Sequence, residues 1–147
     1  MNVVWKLSGR STGWLREVDF VQPGHKKWSL WWIAANEDGS GKSEALTFTG
    51  VEALKHTEFL AYSPELINDT YDNLVDLGKT SFLAEVTANL QVRMNVTDLR
   101  HFAISFDSSP LFELIANYFE FEARFDASIL GSYLKQRLVD CVPPVRE

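Results

Sequence analysis

The amino-acid sequence predicts an α+β fold with a mainly antiparallel sheet of about six strands and with helices packed on one face. Segments with strand-like alternation of apolar residues follow one another in runs. Helical spacing of apolar residues occurs once in the middle and once near the end. This order is typical of an antiparallel sheet rather than of repeated βαβ units. Because no repeat or linker divides the 147 residues, we expect a single α+β domain over 1–147.

The segment 27–35 holds three of the five tryptophans and predicts a short strand. In a strand, Trp28 and Trp32 lie on one face, and Trp31 lies on the other. Large side chains on both faces indicate a central strand or an interface. We expect Trp28 and Trp32 in the core, and Trp31 against the helix layer, a ligand or a partner.

Further strands are predicted on both sides of this segment. Residues 3–7 and 14–20 flank a polar glycine-containing loop, and Pro23-Gly24 indicates a turn. The polar loop 36–42 returns the tryptophan-rich strand as a hairpin. Gly50 is a predicted bend, because the apolar residues beyond it change phase.

A helix is predicted over 64–77. Ser63 suits the N-cap, Pro64 the first helical position, and Gly78 the position after the C-terminus. Helical spacing places four side chains on one apolar stripe: Ile67, Tyr71, Leu74 and Val75. Four carboxylates fall on the remaining surface and form a predicted acidic face: Glu65, Asp69, Asp72 and Asp76. A second short helix, capped by Thr80 or Ser81, is predicted to end before or near Asn95.

Strands resume at residues 99–106, and Asp107 begins a turn into 111–125. A straight strand over 111–125 would be about 50 Å long, which exceeds the expected diameter of the domain. The apolar phase also changes near Tyr118, so we expect a break there. A last helix is predicted from Asp126 and is ended by Pro143-Pro144.

The charge distribution disfavours nucleic-acid binding. The net charge is −6, and residues 63–123 carry three basic and ten acidic side chains. No basic stripe with interleaved aromatic residues offsets this charge. Such a surface would attract a basic protein partner, although a solvated face explains the same residues.

The sequence predicts a cytoplasmic protein with no membrane contact. The N-terminus has no apolar region typical of a signal peptide, and no apolar run approaches the roughly 18 residues of a spanning helix. The single cysteine, Cys141, fits a reducing compartment.

Motifs for catalysis, metals or cofactors are not evident, so we expect no cofactor and lean against an enzyme. His25, His56 and His101 lack the spacing of a metal site. The Gly41-Lys42-Ser43 run resembles the end of a phosphate loop, but the flanking pattern predicts a hairpin. Glu120 and Glu122 are better explained as the solvent side of an amphipathic strand than as a catalytic pair.

Several segments resemble small bacterial single-domain proteins of uncharacterised function and, in general style, immunity-type proteins. The resemblance lies in residues 48–51, 71–78 and 82–86, and in Phe106-Asp107. It covers about half of the chain, contains no catalytic motif and implies a bacterial, non-enzymatic protein.

Two functions therefore remain open. The first is a non-catalytic protein-interaction module, immunity-like or antitoxin-like, which contacts a protein partner or a second copy through the acidic face or Trp31. The second is a small-ligand-binding protein or enzyme with an aromatic-lined pocket in the sheet, with His101 or Glu113 as the polar anchor.

Overall fold

The computed structural model describes residues 1–14, 17–35, 41–58, 61–91 and 98–124. Within these residues the chain forms nine strands, two α-helices and one 3-10 turn. The helices are α1 (Pro64–Thr70) and α2 (Ser81–Gln91), and the 3-10 turn is Ser11–Gly13. The strands are β1 (Asn2–Lys6), β2 (Asp19–Gly24), β3 (Lys27–Ala35), β4 (Gly41–Thr49), β5 (Ala53–Thr57), β6 (Asn73–Asp76), β7 (Arg100–Ile104), β8 (Leu111–Ala116) and β9 (Tyr118–Arg124).

The strands form two antiparallel sheets. The five-stranded sheet has the order β1-β6-β7-β8-β5, and the four-stranded sheet has the order β2-β3-β4-β9. A mainly antiparallel, sheet-rich α+β fold is therefore confirmed. The prediction of one sheet of about six strands with helices on one face is wrong, because the strands divide between two sheets.

A shared core lies between the two sheets. Trp32 and Phe48 of the four-stranded sheet are fully buried with Phe102, Ile104 and Leu114 of the five-stranded sheet. The rings of Phe48 and Phe102 lie 5.7 Å apart between centroids. Each sheet thus buries the apolar face that the other would leave in water.

Trp32 confirms the predicted alternation of β3 and lies at the aromatic centre of this core. Its side chain is 0% exposed, and the ring of Trp14 stacks on it at 4.6 Å with an interplanar angle of 10°. The indole Nε1–H donates to Oε1 of buried Glu44 at 3.2 Å. This bond satisfies the one polar group that a buried tryptophan carries. Trp28 is partly buried and packs against the same core.

The two sheets are joined at a corner formed by Gly50 and Asn117. The chain passes from β4 to β5 at Gly50 and from β8 to β9 at Asn117, each time moving between sheets. The Asn117 N–H donates to the Thr49 carbonyl at 3.0 Å, so the two crossings lie side by side. Gly50 has φ of +69°, a conformation that favours glycine. The predicted bend at Gly50 and the predicted break near Tyr118 are both confirmed.

The start of α1 is confirmed and its predicted end at residue 77 is wrong. The Leu66 N–H donates to the Ser63 side chain at 3.2 Å, as an N-cap requires. The helix stops at Thr70, and Asp72 has φ of +55°. The predicted apolar stripe contained adjacent residues Leu74 and Val75, which in strand β6 face opposite sides and are both buried. Gly78 therefore follows a strand rather than a helix.

The predicted second strand, 14–20, is also displaced. Trp14 forms only an isolated bridge with Ala34, and β2 begins at Asp19. Pro23-Gly24 lies at the end of β2 rather than in a turn, and the chain turns instead at residues 25–26. Lys26 has φ of +55° at this turn.

The helices cover the outer face of the five-stranded sheet. Tyr62 and Leu66 pack against Val75, Ala103 and Leu111 on that face. The predicted cap of α2 is confirmed, because the Leu83 N–H donates to Thr80 Oγ1 at 3.1 Å. The helix predicted from Asp126 and the predicted helix end near Asn95 lie outside the described residues, as does Cys141. Among the described helices, none has the length and apolar character needed to cross a membrane.

Truncation of the shared core should cost a large fraction of the stability. We expect Phe102→Ala to lower the free energy of unfolding by about 3–5 kcal/mol, because it removes a fully buried ring and leaves a cavity. Phe121→Ala is the matched control, since that ring is 37% exposed and should cost clearly less. Urea unfolding measures both changes, and equal losses would contradict a core between the sheets.

The corner can be tested with two glycines of similar conformation. Gly78 has φ of +78° and open space where an alanine Cβ would lie, so Gly78→Ala should cost about 1 kcal/mol for backbone strain alone. At Gly50 an added Cβ would also overlap the Asn117 side chain. We therefore expect Gly50→Ala to lower the free energy of unfolding more than Gly78→Ala does. The reverse order would show that the crossings are not packed together.

Candidate functional site

A groove runs across the outer face of the four-stranded sheet. It has a volume of about 520 Å³ and is lined by side chains of β2, β3, β4 and β9: Val21, Pro23, Lys27, Ser29, Trp31, Ser43, Ala45, Thr47 and Glu122. Trp31 is partly exposed on this face, as its position opposite Trp32 in the alternation predicts. Ile33 lies two positions further along the same face of β3 and is buried. It is not part of the groove lining, whereas Val21 is.

Short side chains form the floor of the groove. Ser29 pairs with Thr47 across β3 and β4, and their hydroxyl oxygens lie 2.7 Å apart. Ala45 lies opposite Trp31 in the same register. Because the two floor hydroxyls satisfy each other, the floor suits apolar atoms of a bound group as well as polar ones.

Large apolar and acidic side chains border this floor. Val21 is 41% exposed and pairs with Ser29, and Tyr118 is 48% exposed at the start of β9. Glu120 and Glu122 are exposed on the same face of β9, opposite Thr47 and Ala45. The expectation that these glutamates form the solvent side of their strand is confirmed. The groove thus combines a small-residue floor, an apolar border and an acidic edge along β9, and Lys27 of β3 also lies in its lining.

The four residues of the predicted acidic face do not share one helix face. Glu65 and Asp69 lie on α1, Asp72 lies in the turn after it, and Asp76 lies on β6. The Ser11 hydroxyl donates to Asp72 Oδ1 at 2.5 Å, which ties that carboxylate to the 3-10 turn.

Asp76 also has partners within the fold. Arg100 Nε donates to Asp76 Oδ2 at 2.8 Å, and the Gly78 N–H donates to Oδ1 at 2.9 Å. Burial raises the pKa of the Asp76 carboxyl, but these bonds and the Arg100 charge outweigh it and leave the pKa below its usual value. The prediction that these four carboxylates share one helix face is therefore wrong.

The structure brings together the two predicted ligand anchors, His101 and Glu113. His101 Nε2 lies 2.9 Å from Glu113 Oε1, and His101 Nδ1 lies 2.7 Å from Thr80 Oγ1. An ionised carboxylate only accepts, so Nε2 carries a hydrogen, and in the neutral ring Nδ1 accepts the Thr80 hydroxyl proton. Phe82 contacts the ring edge-on, with centroids 5.3 Å apart.

Lys55, whose side chain is half-exposed, extends this network to the protein surface beside α2. Its Nζ lies 3.6 Å from Glu113 Oε2 and 4.7 Å from the centre of the Phe82 ring. Burial raises the pKa of Glu113, while the His101 hydrogen bond and the Lys55 charge outweigh it and hold the pKa below its ordinary value.

The order hydroxyl, imidazole and carboxylate is also that of hydrolytic triads. Thr80 Oγ1 caps α2, and His101 is only 3% exposed. The outer groove and the two cavities beside the 3-10 turn are lined by other side chains. A ligand at His101 or Glu113 would have to displace one of these internal partners, so the network fastens α2 to the sheet.

The sequence identified Trp31 but not the groove beside it. The sequence indicates the groove through β4, in which small and large side chains alternate. The small ones are Ser43, Ala45 and Thr47, and the large ones are Glu44, Leu46 and Phe48. A row of small side chains beside a tryptophan indicates a depression in the sheet surface. That depression is visible only once the pairing of β3 with β4 is known.

Among the described residues, no three His, Cys, Asp or Glu side chains are grouped as metal ligands. No protein-family model matches the chain, and comparisons with curated proteins and with solved structures gave no match. The function is therefore inferred from the geometry of the chain's own residues.

The Glu113 network should make stability sensitive to acid. Because the pKa of Glu113 is lower in the folded than in the unfolded chain, the unfolded state binds more protons as the pH falls through its ordinary value of 4.5. The stabilisation is thus complete above that value and is lost below it. As the pH falls below about 4.5, we expect the free energy of unfolding to decrease less steeply in Glu113→Gln than in the parent protein.

Urea unfolding at a series of pH values measures this slope. Glu65→Gln is the matched control, since Glu65 is exposed on α1. If Glu113→Gln leaves the slope the same as in the parent protein, the buried pair does not carry the acid dependence.

Proposed function

We propose that this protein is a non-catalytic interaction module that binds a protein partner in the groove beside Trp31. The single observation that supports this proposal is the groove itself, about 520 Å³ in volume on the outer face of the four-stranded sheet. An enzyme site of this size would bring polar groups together over an enclosed substrate. Here the polar floor groups pair with each other and the groove is shallow, which suits a side chain projecting from another protein.

The composition of the groove favours this kind of contact. Tryptophan and tyrosine are common at the centres of protein interfaces, because each buries a large area and keeps a polar edge. Trp31, Val21 and Tyr118 present such area on one face. When a partner buries a partly exposed tryptophan, that contact contributes far more to the free energy of binding than a charge at the rim of the interface does.

The acidic edge suggests the chemistry of the partner. Glu120 and Glu122 are exposed on β9 beside the groove, Lys27 lies in the lining on β3, and the chain carries a net charge of −6. A partner with an apolar side chain flanked by lysine or arginine would fit both the groove and this edge. The sequence resemblance to immunity-type proteins favours a basic toxin as that partner.

This proposal differs from the predicted acidic-face interface in its location. Glu65 and Asp69 remain available on α1, whereas Asp72 and Asp76 are held by Ser11 and Arg100. Two carboxylates on a short helix offer a partner only charge, whereas the groove offers both apolar area to bury and an acidic edge. The contact surface is therefore assigned to the four-stranded sheet.

Selection from a random-peptide display library tests the proposal without knowledge of the partner. We expect the parent protein to enrich peptides that combine a large apolar residue with lysine or arginine. Ala45→Lys should abolish this enrichment, because the new side chain fills the groove and pairs with Glu122. Trp31→Ser should weaken it at least about tenfold, as expected of an interface hot spot.

Val3→Ser is the control, since Val3 is 46% exposed on the other sheet. It should leave the enriched peptides unchanged, and Glu122→Lys should reduce the enrichment of basic residues alone. Peptides that bind Ala45→Lys and the parent protein equally well, or a selection that enriches nothing, would contradict binding in the groove.

A further inference from the structure

A second cavity lies at one end of the molecule, away from the outer groove. It has a volume of about 280 Å³ and is lined by the 3-10 turn, the residues after it and the β7–β8 turn: Ser11, Thr12, Trp14, Glu17, Val18, Phe106, Asp107, Ser108, Ser109 and Pro110. Sequence reasoning did not identify it, because its walls are separated by about ninety positions in the chain.

Hydrogen bonds within the protein hold the walls of this cavity in place. The Asp107 N–H donates to Ser11 Oγ at 2.8 Å, and Ser11 is tied in turn to Asp72. The Phe106 N–H donates to Ser109 Oγ at 2.8 Å, and this hydroxyl donates to the Pro110 carbonyl. Ser11 and Ser109 are nearly buried, so the site is organised before any ligand arrives.

The lining has an aromatic wall and a negative charge. The rings of Trp14 and Phe106 lie 4.7 Å apart between centroids. Glu17 and Asp107 are carboxylates, and no lysine, arginine or histidine lies among the described residues that line the cavity. Burial raises the pKa of the neighbouring Tyr71 phenol, and the charges of Asp72 and Asp107 raise it further.

A neighbouring cavity provides an internal comparison. It has a volume of about 400 Å³ and shares Thr12 and Trp14, but its lining holds Arg10, Lys42 and Glu44. Lys42 Nζ lies 4.0 Å from Glu44 Oε2, so Arg10 is the charge in this lining without an opposite charge beside it among the described lining residues. A cationic ligand would be attracted more strongly to the cavity with Glu17 and Asp107 than to this one.

We propose that the cavity between Trp14 and Asp107 binds a small organic cation, with an ammonium or guanidinium group held by Asp107 and Glu17 against the indole of Trp14. An aromatic face attracts such cations, and a carboxylate in the same lining adds a charge-assisted hydrogen bond. The cavity accommodates a group of a few heavy atoms, which fits the head of an amine or of an arginine-like molecule. This site is independent of the groove on the four-stranded sheet.

Titration of the full chain with methylguanidinium, followed by the indole N–H resonances in NMR, tests the proposal. We expect a saturable shift of the Trp14 indole signal, with methylurea as the neutral probe of the same shape. Methylurea should bind much more weakly, because it lacks the charge. Asp107→Asn and Glu17→Gln should each weaken methylguanidinium binding about fivefold, and Glu65→Gln should have no effect.

The Glu17→Gln variant keeps the test valid if Asp107→Asn disturbs the turn, because Glu17 is exposed. A blocked Gly-Arg-Gly peptide distinguishes the two sources of the cation. Binding of the peptide indicates a partner's side chain, and binding of methylguanidinium alone indicates a free small molecule. Equal binding of methylurea, an unchanged affinity in both carboxylate variants, or no saturable shift with either cation would overturn the proposal.

Discussion

The packing of two sheets on one aromatic core determines where every other feature of this protein lies. Each sheet turns an apolar face toward the other, and burial of these two faces in a shared core supplies a large part of the favourable free energy of folding. The crossings at Gly50 and Asn117 keep the sheets face to face, because two adjacent strands change sheet at one corner. The remaining two faces are then outer faces. Helices cover one, and the other carries the groove beside Trp31.

Features set by neighbouring residues could be predicted from the sequence. The cap at Ser63, the cap at Thr80 and the alternation of Trp31 with Trp32 all depend on local geometry. The end of α1 could not be predicted in this way, since Leu74 and Val75 fit either a helix stripe or the two sides of a buried strand. Pairing of β6 with β1 and β7 decides between them, and those partners are distant in sequence.

In the candidate sites, too, features set by neighbouring residues could be predicted and features set by strand pairing could not. Trp31 could be identified because the alternation of one strand exposes it, whereas the groove depends on the register of four strands. His101 and Glu113 were predicted as alternative polar anchors for a ligand, but their pairing with each other and with Thr80 required the structure. That pairing gives them a role in stability. The binding surfaces are thus formed by long-range contacts between residues that look ordinary in sequence.

A double-mutant cycle between Phe48 and Phe102 measures whether the sheets share one core. Their rings lie 5.7 Å apart, and each belongs to a different sheet. The unfolding free energies of Phe48→Leu, Phe102→Leu and the double variant give the coupling between them. We expect a coupling of about 0.5–1.5 kcal/mol, as for other aromatic pairs in contact. If the losses of unfolding free energy in the two single variants sum to the loss in the double variant within about 0.3 kcal/mol, direct packing of the two sheets is contradicted.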